Sequence, residues 1–209
     1  MKKTSLIKVI SVLIALISLN ACVKSEFVNL SSFIYNFNFE TDFYMLSFSD
    51  FYYTEGETTC TYTVYFNEVE GEYVSLKIIE NFDYEIQECY ITICKIDNDG
   101  ETMSISQNTQ TLFKNIVCKT IEAFTLKDND FANTIAAEFM LDLPSTYTDE
   151  GELNKQDGNF YYLYLSNSIT NEFVIYNTWL SPQEEYEKPV SSPAYDSTTD
   201  IREGTVALR

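Results

Sequence analysis

Apolar and polar residues alternate with a period of two along several stretches, and this limits the fold more than any other property of the chain. Cys60, Tyr62, Val64 and Phe66 share one parity, against Thr59, Thr61 and Thr63 on the other. Phe33, Tyr35, Phe37 and Phe39 stand against Asn36, Asn38 and Glu40, and Ile135, Ala137, Phe139, Leu141 and Leu143 against Glu138 and Asp142. Tyr161, Leu163 and Leu165 form a further face. Successive side chains of a strand point to opposite faces, so the pattern describes antiparallel strands with one face buried and one wet. All six glycines follow an acidic residue, as in Glu55-Gly56, Glu70-Gly71, Asp99-Gly100 and Asp157-Gly158. Runs of strand length lie between these pairs, and glycine beside an acid suits a tight turn.

This reading predicts strands over 33–40, 43–53, 58–67, 72–80, 85–96, 101–106, 119–127, 134–143, 160–166 and 172–180. Leu112, Phe113, Ile116 and Val117 have helical spacing, so one short helix is allowed over 109–120. Many short strands without alternating helices predict a mainly β chain, built as a single antiparallel β-sandwich-like domain over 33–180. Residues 181–209 carry Pro182, Pro189 and Pro193 among Ser, Thr and Glu. They read as a tail or long surface loop, with Thr205 to Leu208 as a last edge strand.

The start of the chain has a different character. Met1 to Lys8 contains Lys2, Lys3 and Lys8 and no acid, and Val9 to Leu19 is apolar except for Ser11 and Ser18. A basic start, a short apolar middle and a small residue at the end make a secretory signal peptide. The apolar run is eleven residues, well short of the roughly 20 that span a bilayer. It ends in Leu19-Asn20-Ala21-Cys22, which resembles the lipobox of bacterial lipoproteins. The resemblance implies that residues 1–21 are removed and that Cys22 carries diacylglycerol and fatty acyl groups of the palmitate kind. Residues 22–32 then form a lipidated N-terminus and short tether. The expected location is the cell membrane or outer membrane, facing the periplasm or the exterior. Asn20 is less usual than Ser or Ala at its position. A transmembrane barrel is disfavoured, because such barrels are not normally lipidated by this route and need a wet lumen.

Charge narrows the partners. The chain has a formal net charge of −19, and removing three leader lysines makes the mature part −22. Nucleic acid demands a basic footprint, and anionic lipid surfaces attract basic segments; this chain offers neither. Apolar residues make up 45% of the chain, so it is not a disordered acidic tail. Histidine is absent. That excludes Ser-His-Asp and Cys-His catalysis, histidine-ligated zinc and imidazole pH sensing.

The remaining chemistry is sparse. With Cys22 lipidated, Cys60, Cys89, Cys94 and Cys118 are left, an even number in a compartment that permits disulfides. Any pairing among them is open, although Cys89 and Cys94 would point to opposite faces of one straight strand. The acidic turns at Asp97 to Glu101, Asp128 to Asp130 and Asp149 to Glu152 suit hard cations, but no twelve-residue calcium frame is present. No residue is assigned as a metal ligand, and no motif asks for a cofactor. Thirty-two acids leave a hydrolase with paired carboxylates as an alternative that only spatial separation decides. No phosphate loop, nucleophile elbow or Ser-x-x-Lys motif appears, so no enzyme is specified.

Tyrosines are the positive signal. Tyr161, Tyr162 and Tyr164, and then Tyr52 and Tyr53, are the expected contact residues, because neighbours on a strand alternate faces and one of each pair should lie outside. The expectation is a lipid-anchored envelope or surface protein that binds a protein or glycan partner and does not bind nucleic acid.

Overall fold

A computed structural model describes residues 27–40, 44–69, 71–95, 105–141, 151–166 and 171–180. Its centre is one antiparallel sheet of seven strands: β1 (Tyr52–Glu55), β2 (Thr59–Val69), β3 (Glu72–Asn81), β4 (Ile86–Lys95), β5 (Gly151–Asp157), β6 (Phe160–Ser166) and β7 (Asn171–Asn177). Helix α1 (Leu30–Asn38) precedes the sheet, and α2 (Gln107–Thr125) and α3 (Asn129–Glu138) lie between β4 and β5. The strand order is β1-β2-β3-β4-β7-β6-β5. Two meanders, β1 to β4 and β5 to β7, therefore meet where β4 pairs with β7.

The chain is mainly β and forms one antiparallel β-rich domain, as the alternation predicts. A helix covers 109–120 and runs further in both directions, from Gln107 to Thr125. The layer packed against the sheet is made of helices. Three predicted strands belong to that layer, and each is a correction with a local cause. The stretch 33–40 lies in α1, where Leu30, Phe33, Ile34 and Phe37 are buried at helical spacing. Asn29 caps that helix by accepting the Ser32 N–H at 2.8 Å. Residues 119–125 continue α2. The predicted strand at 134–143 overlaps α3, capped by the Asp128 carboxylate on the Phe131 N–H at 2.9 Å. In α1 and α3 the apolar residues satisfy both periods over a few positions, and a capping side chain three residues before the receiving N–H decides for the helix. Within the predicted strand 43–53, Phe48–Asp50 is a 3-10 turn and the strand starts only at Tyr52. Residues 101–104 and the tail at 181–209 lie outside the described residues.

One face of the sheet builds the core. Val64 and Phe66 of β2, Val74, Leu76 and Ile78 of β3, Ile91 and Ile93 of β4, and Phe173 and Ile175 of β7 are buried against the helices. The helices answer with Phe33 and Phe37, with Leu112, Ile116, Ile121 and Phe124, and with Ala132 and Ile135. Val28 and Leu30 are buried too, so part of the stretch expected as tether belongs to the packed body.

Strand β3 has a carboxylate at each end of its apolar stripe. Glu72 and Glu80 share the parity of Val74, Leu76 and Ile78, and both are buried. Glu80 accepts the first N–H of α1, from Leu30, at 2.9 Å, and the Tyr62 hydroxyl at 3.3 Å. Glu72 accepts the Ser106 N–H at 3.1 Å and the hydroxyls of Ser106 and Thr109 at 2.6 Å each. Helix N-termini present unsatisfied N–H groups and a partial positive charge, so a carboxylate fixed there holds the helix in place. These two acids fix α1 and α2 at opposite ends of one strand.

Candidate functional site

The other face of the sheet is set by the same parity rule. Cross-strand partners share a face, so one row runs Tyr52, Thr63, Lys77, Tyr90, Val174, Leu163 and Asn154 from β1 to β5. Beside it run Thr54, Thr61, Ile79, Glu88, Tyr176, Tyr161 and Gln156. On the other side run Tyr65, Ser75, Thr92, Glu172, Leu165 and Glu152. All three helices pack on the opposite face, and among the described residues no helix covers this one.

The side chains of this face hold one another. Tyr161 and Tyr176 stack with ring centroids 4.8 Å apart and planes 29° apart. The Lys77 ammonium lies 4.1 Å from the centre of the Tyr90 ring, a cation–π contact. The Tyr90 hydroxyl donates to Glu88, and the Thr92 hydroxyl donates to Glu172 at 3.2 Å. Tyr52 meets Tyr65 edge-on at 5.9 Å, and these two rings are 44% and 42% exposed. Val174 and Leu163 form a buried aliphatic centre apart from the helix-side core. Burial first, and then Glu152, pushes the Tyr161 hydroxyl above its usual pKa; burial first, then Tyr161 and Glu88, does the same for Tyr176. Both are therefore neutral hydrogen-bonding groups at pH 7.

The expected contact tyrosines are divided between the two faces. Tyr161 and Tyr52 lie on the face turned from the helices, five strands apart, or about 24 Å at 4.8 Å per strand. Tyr53 shares the helix side with Tyr62, at 5.4 Å, although it is exposed at the sheet edge. Tyr164 packs against Phe113 of α2 at 6.4 Å. Tyr162 is fully buried beside Phe131 and Phe173 and has no outward surface to offer. Tyr65, Tyr90 and Tyr176 are the residues that sequence reasoning missed. Their signal was present in parity: each sits opposite in phase to the core aliphatics of its own strand.

Burial of Tyr162 has a measurable consequence. Its hydroxyl is enclosed and makes no well-formed hydrogen bond among the described residues, because the Thr125 hydroxyl beside it gives its proton to Ile121 O at 2.7 Å. An unsatisfied buried hydroxyl costs on the order of 1 kcal/mol or more. Tyr162→Phe is expected to raise stability by about 1 kcal/mol, read as a later denaturant midpoint. A lower midpoint would mean that the hydroxyl is satisfied in solution.

The cysteines are dispersed. Cys60 and Cys89 are free thiols. They lie on β2 and β4 with β3 between them, roughly 10 Å apart, beyond the reach of a disulfide. Cys60 lies 3.4 Å from the Tyr53 hydroxyl. Burial raises the Cys89 thiol pKa. Cys118 directs its thiol to Asn133 Oδ1 at 3.9 Å. Cys94 occupies the register position opposite Tyr73, and Cys22 lies outside the described residues. Of the acidic turns, Asp128 is spent on capping α3, and those at 97–100 and 149–150 lie outside the described residues. Among the described residues no cluster of three or more acids and cysteines could hold a metal, and no helix is long and apolar enough to cross a membrane.

No protein-family model matches the chain, and no curated protein or solved structure matches it either.

Proposed function

We propose that this chain is a lipid-anchored cell-envelope protein that binds a protein or glycan partner through the sheet face turned from its helices. The observation that carries the reading is the one-sided construction of the domain. Among the described residues three helices cover one face, and the other presents a stacked tyrosine pair, a lysine over a tyrosine ring and two carboxylates already oriented by hydroxyls. Tyrosine offers rigid, amphipathic contact area at small entropic cost, and pre-oriented polar groups lose little on binding. The leader and Cys22 supply export and anchoring. The hydrolase alternative gains little here. Glu88 and Glu172 are four register positions and one strand apart, about 14 Å, where paired catalytic carboxylates need roughly 5–10 Å. Glu172 and Glu152, in one row two strands apart at about 10 Å, stand at the outer limit of that range and are the pair the test below addresses.

The test is a glycan array and a pull-down against envelope proteins with the full chain and its variants. Tyr161→Ala with Tyr176→Ala is expected to weaken binding at least about tenfold. Tyr53→Ala and Tyr164→Ala, on the helix side, leave it unchanged. Equal loss from both pairs, or none from the first, removes this face from the reading. Turnover of a glycan abolished by a single Glu change would replace binding with hydrolysis.

A further inference from the structure

The end of the sheet where the chain enters carries a separate set of exposed aromatic residues. The Ile86 N–H, just after the β3–β4 loop, donates to Val28 O at 2.8 Å, which places the entering strand of chain beside that loop. Gln87 Nε2 donates to Leu180 O at 3.0 Å, which brings the segment after β7 to the same end. Phe27, Phe82, Tyr84 and Trp179 therefore share one end of the sheet, and they are 40%, 50%, 73% and 58% exposed. None belongs to the face assigned to ligand binding.

We infer that this end rests in the headgroup layer of a zwitterionic bilayer, an inference that builds on the lipid-anchor reading. Phe27 lies five positions after Cys22, a reach of at most about 18 Å. Acyl groups on Cys22 bring Phe27 and its neighbours to the membrane surface. Tryptophan, tyrosine and phenylalanine prefer that interface, where an apolar ring and a polar edge are both accommodated. Among the described residues the acids of this end, Glu57, Asp83, Glu85 and Asp157, outnumber the cation Lys127, which already pairs with Asp157 at 3.7 Å. That excess disfavours anionic lipids and leaves zwitterionic headgroups as the match. Asp83, between Phe82 and Tyr84, holds the loop at headgroup depth, because its carboxylate does not enter hydrocarbon.

Loop geometry bears on the same point. The loop Phe82-Asp83-Tyr84 is closed by Asn81, whose carbonyl accepts the Tyr84 N–H at 3.0 Å and whose side-chain oxygen accepts the Glu85 N–H at 2.9 Å. Tyr84 has φ +62°, where glycine is the favoured residue. A bulky ring is kept there, exposed, at a conformational cost that no described contact of the ring offsets.

Trp179 is the one tryptophan of the chain, and it reports directly. Full-length protein made in a bacterium with labelled fatty acid is reconstituted into phosphatidylcholine vesicles that contain shallow brominated lipid. The expected result is label on the chain together with quenched, blue-shifted Trp179 emission. Phe27→Ser with Phe82→Ser is expected to cut quenching several-fold while the label remains. Tyr84→Gly is expected to weaken quenching yet raise the denaturation midpoint, because φ +62° suits glycine. Label with unquenched Trp179 overturns the inference and leaves the anchor standing. Quenching without label upholds the aromatic contact and ends the anchor reading. Stronger quenching in phosphatidylglycerol than in phosphatidylcholine at low salt overturns the zwitterionic assignment.

Discussion

Glu72→Ala is expected to lower the stability of the domain by about 3–5 kcal/mol. One buried carboxylate satisfies the Ser106 N–H and the hydroxyls of Ser106 and Thr109, at the point where the longest helix starts. Hydrogen bonds to a charged group contribute about 1.5–3 kcal/mol each, and the buried Thr109 hydroxyl would lose its acceptor, while the half-buried Ser106 hydroxyl keeps Thr109 Oγ1 at 3.0 Å. Domains of this kind have only about 5–15 kcal/mol in total, so the loss is a large share. Glu72→Gln keeps an acceptor oxygen but turns an NH₂ group toward hydroxyls whose protons already point inward. It should recover roughly half of the loss. Glu80→Ala removes the Leu30 and Tyr62 bonds and is expected to cost about 2 kcal/mol. Denaturant midpoints at pH 7 check all three. A Glu72→Ala midpoint within about 0.5 kcal/mol of wild type would mean that water replaces the carboxylate at the helix start.

The alternation of β2 was legible from Cys60 to Phe66, and β3 carries the same parity in its burial. Val74, Leu76 and Ile78 face the core, and Tyr73, Ser75 and Lys77 face away. The helices were harder to read. Leu30, Phe33, Ile34 and Phe37 define a helical face, yet Phe33, Phe37 and Phe39 also fit period two, and aromatic residues favour strands by propensity. Asn29 and Asp128, the capping residues, carried the missing information. Glu72 and Glu80 show a second limit. An acid on core parity reads as a flaw in the stripe until a helix N-terminus is known to lie against it. The tyrosine face was half legible for a related reason. Parity divides Tyr161 from Tyr162, and the pairing of consecutive strands β6 and β7 sets Tyr176 beside Tyr161, but only the strand order, with β7 beside β4, brings Glu88 next to Tyr176. No local pattern encodes which meander joins which.

Cys22→Ser is expected to abolish incorporation of labelled fatty acid, the largest single effect proposed for this chain. A single acyl chain gives only marginal, reversible binding, and two or more give stable anchoring. Losing all of them removes what holds a body of charge −22 to a membrane surface. Label persisting in the variant would place the acyl groups elsewhere and end the lipobox reading. The geometry adds a consequence for the partner. Val28 and Leu30 are already buried, so residues that the sequence pattern assigned to the tether belong to the packed body. The chain enters at the end of β3, and that ten-residue strand extends about 33 Å away from the point of entry. With that end at the bilayer, the strands rise from the surface and the tyrosine face looks sideways along it. A partner held in the same membrane meets that face at its own height. A linker of about 30 flexible residues inserted after Cys22 keeps the label but relaxes this height, so it should weaken capture of a membrane-held partner more than capture of the same partner in solution.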